Sequence, residues 1–116
     1  MNNTEIKLNY GGVDYTLAYN RAAIKIIEDN GFKINEFLEK PMMNIELAFQ
    51  GAFIKNHPKT SQETIQEILQ HCPDKQGLFT TLYNMISETY EDLFQTDVED
   101  DESKKVTWKT VNSKKN

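Results

Sequence analysis

The sequence predicts an α+β fold, mainly α, in which an N-terminal β-hairpin packs on a bundle of about four to five short helices, followed by a flexible charged C-terminal tail. Residues 4–19 alternate apolar with polar positions around a glycine pair, residues 20–94 show helical spacing broken by glycine and proline, and the remainder carries blocks of charge. A length of 116 residues suits one domain. We place that domain at residues 1–95 and the tail at 96–116.

The hairpin is the clearest local signal. Gly11-Gly12 separates two alternating runs, and glycine reaches the positive φ angles that a two-residue turn needs. The predicted register places Tyr10 opposite Val13. It puts the apolar side chains on one face, and because an isolated hairpin is marginal in water, helices must cover that face. The other predicted pairs are Leu8 with Tyr15 and Ile6 with Leu17.

Turn and capping residues divide the rest into helices. Asn20 is expected to cap a helix that runs to about Asn30, with Gly31 just beyond it. The segment INEFLEK predicts a short helix with Phe37 and Leu38 pointing inward.

Pro41 suits the first turn of the next helix, which we expect to reach about Asn56 before His57-Pro58 ends it. The spacing of residues 60–63, TSQE, is typical of a capping box, and residues 65–72 then follow helical spacing. The last helix is predicted over about residues 75–94.

Composition excludes several classes of function. The net charge of −5 lacks the basic footprint of non-specific nucleic-acid binding. The longest apolar stretch, residues 42–54, is shorter than the roughly 20 residues of a membrane span, so we expect no membrane partner. The N-terminus lacks the pattern of a secretory signal. One cysteine, Cys72, forms no internal disulfide, which fits a reducing cytosol.

No residue pattern supports catalysis. His57, His71 and Cys72 are too few for a structural zinc site, and Cys72 lies on an apolar helical stripe, as core thiols do. Neighbouring acids such as Glu28 and Asp29 diverge on a helix. The glycine pair belongs to no phosphate-binding motif. We therefore predict no enzyme, no catalytic or metal-binding residue and no cofactor.

The segment PMMNIELAFQGAFI is apolar nearly all round. This is typical of a helix at the centre of a core, or of a helix with one face in the core and the other bound to a partner. The spacing leaves both readings open. Trp108, in a lysine-rich stretch, is either a docking anchor or an exposed residue.

The chain resembles the small tail assembly chaperones of long-tailed phages and prophages of Gram-positive hosts. The resemblance covers about residues 4–94 and rests on EIKLNYGGVDYTLAYN, the helix ending in NGF, and FQGAFIKNHPKTSQE. It implies a non-enzymatic protein of the host cytoplasm, absent from the mature virion, that keeps the tape measure protein soluble until tail tube subunits displace it. The contact residues it suggests, in addition to Trp108, are Met42, Met43, Phe49, Phe53, Tyr83 and Tyr90.

The same resemblance implies a longer form made by a programmed frameshift, which recruits the major tail tube protein; residues 113–116, SKKN, suit a slippery site. Two alternatives stay open: a tail completion or connector protein retained in the virion, and an acidic phage-encoded regulatory binding protein. The excess apolar surface also permits a homo-oligomer.

Overall fold

A computed structural model describes residues 4–93 and 106–111 and confirms the predicted α+β, mainly α, fold. The elements in chain order are β1 (Ile6–Tyr10), β2 (Val13–Leu17), α1 (Arg21–Asp29), a 3-10 turn (Ile34–Glu36), α2 (Pro41–Ala52), α3 (Gln62–His71) and α4 (Lys75–Leu93). Residues 106–111 have no regular secondary structure. The rest of the predicted tail, residues 96–105 and 112–116, lies outside the described residues.

The hairpin has the predicted register. β1 and β2 are antiparallel, with Tyr10 opposite Val13 and Ile6 opposite Leu17. Gly11 and Gly12 have φ angles of +60° and +83°, as a type I′ turn requires. In such a hairpin the backbone groups of every second residue point away from the partner strand. Lys7 and Asn9 therefore turn their N–H and C=O groups toward the outer edge of β1.

Capping side chains fix where α1 and α3 begin. The Asn20 side chain accepts a hydrogen bond from the Ala23 N–H over 2.8 Å, as predicted. The predicted capping box over residues 60–63 is corrected to a simple N-cap at Ser61, which has extended backbone and whose Oγ accepts from the Thr64 N–H over 3.1 Å. Both Thr60 and Ser61 are good capping residues, so the sequence alone left this choice to the tertiary fold.

Two expectations around α2 are corrected. Leu38 does not point inward: it is exposed, because the chain before α2 forms a 3-10 turn and bends that bury only Phe37. The helix itself ends at Ala52, and residues 53–56 form turns before His57 and Pro58.

Helix α2 lies at the centre of the core and packs against α1, α3 and α4. Its backbone comes very close to α1 at Gly51, where an added Cβ would lie 2.6 Å from Cγ2 of Ile27. The hydrophobic core combines this helix with side chains from every other element; its largest fully buried members are Phe32, Phe37, Phe49, Phe53, Leu17, Leu82, Met85 and Ile86. Within the described part of the chain, no helix has the length and apolar character needed to cross a bilayer.

Candidate protein-binding surface

Three large apolar side chains are exposed within six residues of sequence, where the chain enters α2. We name Leu38, Met42 and Met43 the methionine patch; Met42, the most exposed, retains 79% of its accessible surface. Single exposed apolar residues are ordinary, but a group within six positions of sequence is typical of an interaction surface. Methionine also adapts its shape to varied partners.

Aromatic packing fixes the position of this patch. The ring of Phe37, one residue before Leu38, is fully buried. Its centroid lies 4.5 Å from that of Phe79 and 5.3 Å from that of Tyr83, both on α4. Phe37 therefore anchors the turn that carries Leu38 to the first half of α4.

A buried amide ties the same turn to α2. Nδ2 of Asn44 donates to the carbonyl oxygens of Glu36 at 3.1 Å and Lys40 at 3.0 Å. Its Oδ1 has no hydrogen-bond partner among the described residues. The two acceptors lie on either side of Leu38 in the sequence. Asn44 therefore fixes the turn that carries Leu38 to the first turns of α2.

Two of the predicted contact residues belong to the core instead. Phe49 is completely inaccessible and Phe53 nearly so, and their ring centroids are 5.2 Å apart. Phe53 also meets the hairpin through Tyr15, with the centroids at 5.5 Å. Their expected role in partner contact is therefore corrected: in this fold both rings join α2 to its own domain and offer no surface to another chain.

The other predicted residues are accessible to different degrees. Tyr83 is half-buried against Phe37. Tyr90 is also half-buried, and its hydroxyl donates to Oε2 of Glu28 on α1. Burial and this carboxylate raise the pKa of Tyr90 well above its ordinary value. Trp108 keeps 84% of its accessible surface. Met42 and Met43 are both exposed in the first turn of α2, and Trp108 lies in a segment without regular secondary structure.

A cleft between α1 and α4 was not predicted. It encloses about 340 Å³, with Ile24 and Leu93 among its apolar lining residues and Arg21 and Lys25 among its charged ones. No sequence pattern indicates it, and Leu93, on its rim, is half-exposed.

The residues considered for chemistry have structural contacts. Nε2 of His57 accepts a hydrogen bond from the Thr16 N–H at 2.9 Å, and Nδ1 of His71 lies 2.9 Å from the Glu67 carbonyl oxygen. Burial raises the pKa of the Cys72 thiol, although nearby Lys75 opposes that shift. Across residues 4–93 and 106–111, no three His, Cys, Asp or Glu side chains group in a way that would hold a metal ion.

Fold and surface together define a small α+β domain with a buried central helix whose first turn exposes an apolar patch. The chain belongs to the DUF5055 family, described as a domain of unknown function, whose model matches residues 1–112. That match continues past residue 95, where we expected the domain to end. Comparison with curated proteins and with solved structures gives no match.

Proposed function

We propose that this protein is a phage tail assembly chaperone that binds the tape measure protein and keeps it soluble during tail assembly. The exposed methionine patch is the observation that carries the proposal. A tape measure protein is a long, largely helical chain whose apolar stripes aggregate when uncovered. A chaperone for it needs an accessible apolar surface on a stable domain, and the buried core and the patch supply these two parts.

The geometry suits a helical client. The patch stands at the entry to α2, and Phe37, the residue before Leu38, packs on half-buried Phe79 and Tyr83 of α4. An amphipathic helix binds such a surface through apolar residues spaced three and four apart. A patch of three side chains gives modest affinity per copy, and many copies along one client chain would strengthen the attachment.

The charge of the domain supports the same role. The chain has a net charge of −5, and its tail blocks of acidic and basic residues cancel, so the excess of acids lies in residues 1–94. Like charge keeps coated complexes apart in solution. In this proposal the protein acts in the host cytoplasm without a cofactor, is absent from the finished virion, and has a frameshifted longer form that recruits the tail tube protein.

Co-expression with the tape measure protein of the same gene cluster tests the proposal. The amount of tape measure that stays soluble and copurifies is measured for the wild type and for the variant Met42→Asp, Met43→Asp. Both side chains are exposed, so the double variant should fold, which circular dichroism checks. We expect the wild type to retain soluble tape measure protein with several copies bound. With the double variant, the amount of soluble tape measure protein should be at least tenfold lower.

Val13→Asp is the matched control. Val13 is also half-exposed, but it borders the loop after α2, including His57 and Thr60, at the opposite end of that helix from Met42. A helix of this length spans about 18 Å. The proposal predicts that Val13→Asp binds as the wild type does. Precipitation of the tape measure with the wild type, or equal loss in both variants, would contradict it. Detection of the chain in purified virions by mass spectrometry would favour the tail-component alternative.

A further inference from the structure

The two edges of the hairpin differ. On the β2 edge, the outward N–H of Thr16 donates to His57 and its carbonyl accepts from Nδ2 of Asn56 at 3.1 Å. Just beyond β2, the Ala18 N–H donates to the Ala52 carbonyl at 3.0 Å. These three bonds close the C-terminal half of the β2 edge with the end of α2 and the loop after it.

The outer edge of β1 is open. The outward backbone groups of Lys7 and Asn9 find no hydrogen-bond partner among residues 4–93 and 106–111, and both residues are exposed. Unpaired strand edges bind other strands, and proteins usually protect them with charge, proline, bulges or a covering element. Lys7 is the one charged side chain within β1. This edge can therefore accept a further strand.

A segment with the composition of a strand lies elsewhere in the same chain. Residues 106–111, VTWKTV, consist of β-branched and aromatic residues except for one lysine. Val106, Trp108 and Val111 are all largely exposed, and the segment pairs with nothing: within the described residues the sheet has only β1 and β2. The segment and the β1 edge are both described in one chain and do not pair there, which leaves both available to a second copy.

The side-chain pattern of the segment matches that edge. As a strand it would place Val106, Trp108 and Thr110 on one face and Thr107, Lys109 and Val111 on the other, so residues 106–109 alternate apolar with polar side chains. β1 has the same alternation, with half-buried Ile6, Leu8 and Tyr10 on the core side and exposed Lys7 and Asn9 on the other. A third strand in this register would extend both the apolar and the polar face of the hairpin.

We propose that residues 106–111 of one copy add as a β-strand to the outer edge of β1 of a second copy. Main-chain hydrogen bonds supply the affinity in such strand addition, and Trp108 supplies an apolar anchor. The covalent chain of residues 94–105 extends at most about 40 Å, which is sufficient to reach a neighbouring molecule. Segment and edge are different surfaces, so two copies can exchange segments reciprocally and close as a dimer, or the contact can repeat head-to-tail from copy to copy. This inference does not rest on the identity of the client.

Sedimentation equilibrium of the full chain tests the pairing. Wild-type protein should show a mass that rises above 13.5 kDa with concentration. Lys7→Pro removes an N–H that points away from β2 and leaves the hairpin bonds in place, since proline is tolerated on such an edge. Lys7→Pro and Trp108→Pro should each remain at the monomer mass. Asn9→Pro repeats the edge test if circular dichroism shows that Lys7→Pro does not fold.

An equimolar mixture of the two variants and a matched control test the pairing further. Lys7→Pro retains the segment and Trp108→Pro retains the edge, so an equimolar mixture should form a dimer and nothing larger. Asp14→Pro makes the same change at an outward position of β2 and should assemble as the wild type does. A wild type that stays monomeric at every concentration would overturn the proposal. So would a folded edge variant that assembles normally, or an Asp14→Pro variant that dissociates as Lys7→Pro does.

Discussion

His57 accepts a hydrogen bond from the backbone N–H of Thr16, and the donor and acceptor are 2.9 Å apart. Asn56 binds the carbonyl of the same residue at 3.1 Å. Two consecutive side chains after α2 thus satisfy both outward backbone groups of one residue in β2. The His57 ring also contacts Tyr15, with centroids 5.1 Å apart. The bond therefore joins the hairpin to the helical part of the domain.

His57→Ala should destabilise the domain by about 1–3 kcal/mol, because the Thr16 N–H loses its acceptor in a half-buried position. Urea unfolding followed by circular dichroism measures the change. His71→Ala is the control: that ring is exposed, and the substitution should change the free energy of unfolding by less than about 0.5 kcal/mol. Equal effects of the two substitutions would show that the Thr16 bond is not a stabilising contact.

Gly51→Ala should also destabilise the domain. Alanine favours a helix by about 1 kcal/mol over glycine. The new Cβ, however, would lie 2.6 Å from Cγ2 of Ile27, a buried methyl group close to its own backbone that has little room to move. Overpacking of this kind costs about 1–3 kcal/mol, so we expect a net loss of about 1 kcal/mol. Ile27→Val in the same chain retains that methyl group and should not relieve the loss, whereas Ile27→Ala should make the two effects clearly non-additive.

Alkaline pH should lower the free energy of unfolding, because Tyr19 is buried. Its hydroxyl donates to the Ala48 carbonyl inside the core, and burial raises the pKa of Tyr19 well above its ordinary value of 10.0. A raised folded-state pKa contributes stability that is fully present below pH 10 and is lost as the pH rises toward the folded-state pKa. The free energy of unfolding should fall above pH 10 by up to about 1.4 kcal/mol per pH unit for each such group.

Tyr19→Phe isolates this contribution. The variant should lose about 1 kcal/mol at neutral pH with the hydrogen bond, yet show a shallower decline above pH 10. Tyrosinate absorbance and urea unfolding, measured together across the alkaline range, give both quantities. Because the pKa of Tyr90 is raised in the same direction, some alkaline decline should remain in Tyr19→Phe. A variant with the wild-type slope would contradict the assignment.

The sequence predicted the hairpin well and the surface of α2 poorly, for one physical reason. Strict alternation around Gly11-Gly12 allows one register, since a shift by one residue would expose every apolar side chain. A helix that is apolar nearly all round has no such constraint. Its own residues do not determine which side meets the core, so Phe49 and Met42 were indistinguishable as contact residues. Packing of Phe37 against α4 and of Gly51 against α1 makes that choice.

Asn44 links stability to the methionine patch, and its substitution tests that link. Asn44→Ala removes the two hydrogen bonds to the Glu36 and Lys40 carbonyls, although both carbonyls retain backbone donors. It also removes a buried Oδ1 without a partner, so we expect a loss of only about 1 kcal/mol. The turn that carries Leu38 should then loosen, and its amides should exchange hydrogen faster than those of α2.

Hydrogen exchange followed by mass spectrometry separates local loosening from a general loss of stability. Gln50→Ala, at a half-buried position of the same helix, is the control and should leave exchange of residues 36–40 unchanged. If Asn44 positions the patch, Asn44→Ala should also retain less soluble tape measure protein in the co-expression assay than Gln50→Ala does. Exchange that rises evenly along α2, or stays at the wild-type rate over residues 36–40, would show that the amide merely fills the core. A patch that Asn44 holds rigid loses less conformational entropy when it binds a client. The rate of hydrogen exchange over residues 36–40 and the amount of soluble tape measure protein should therefore change together.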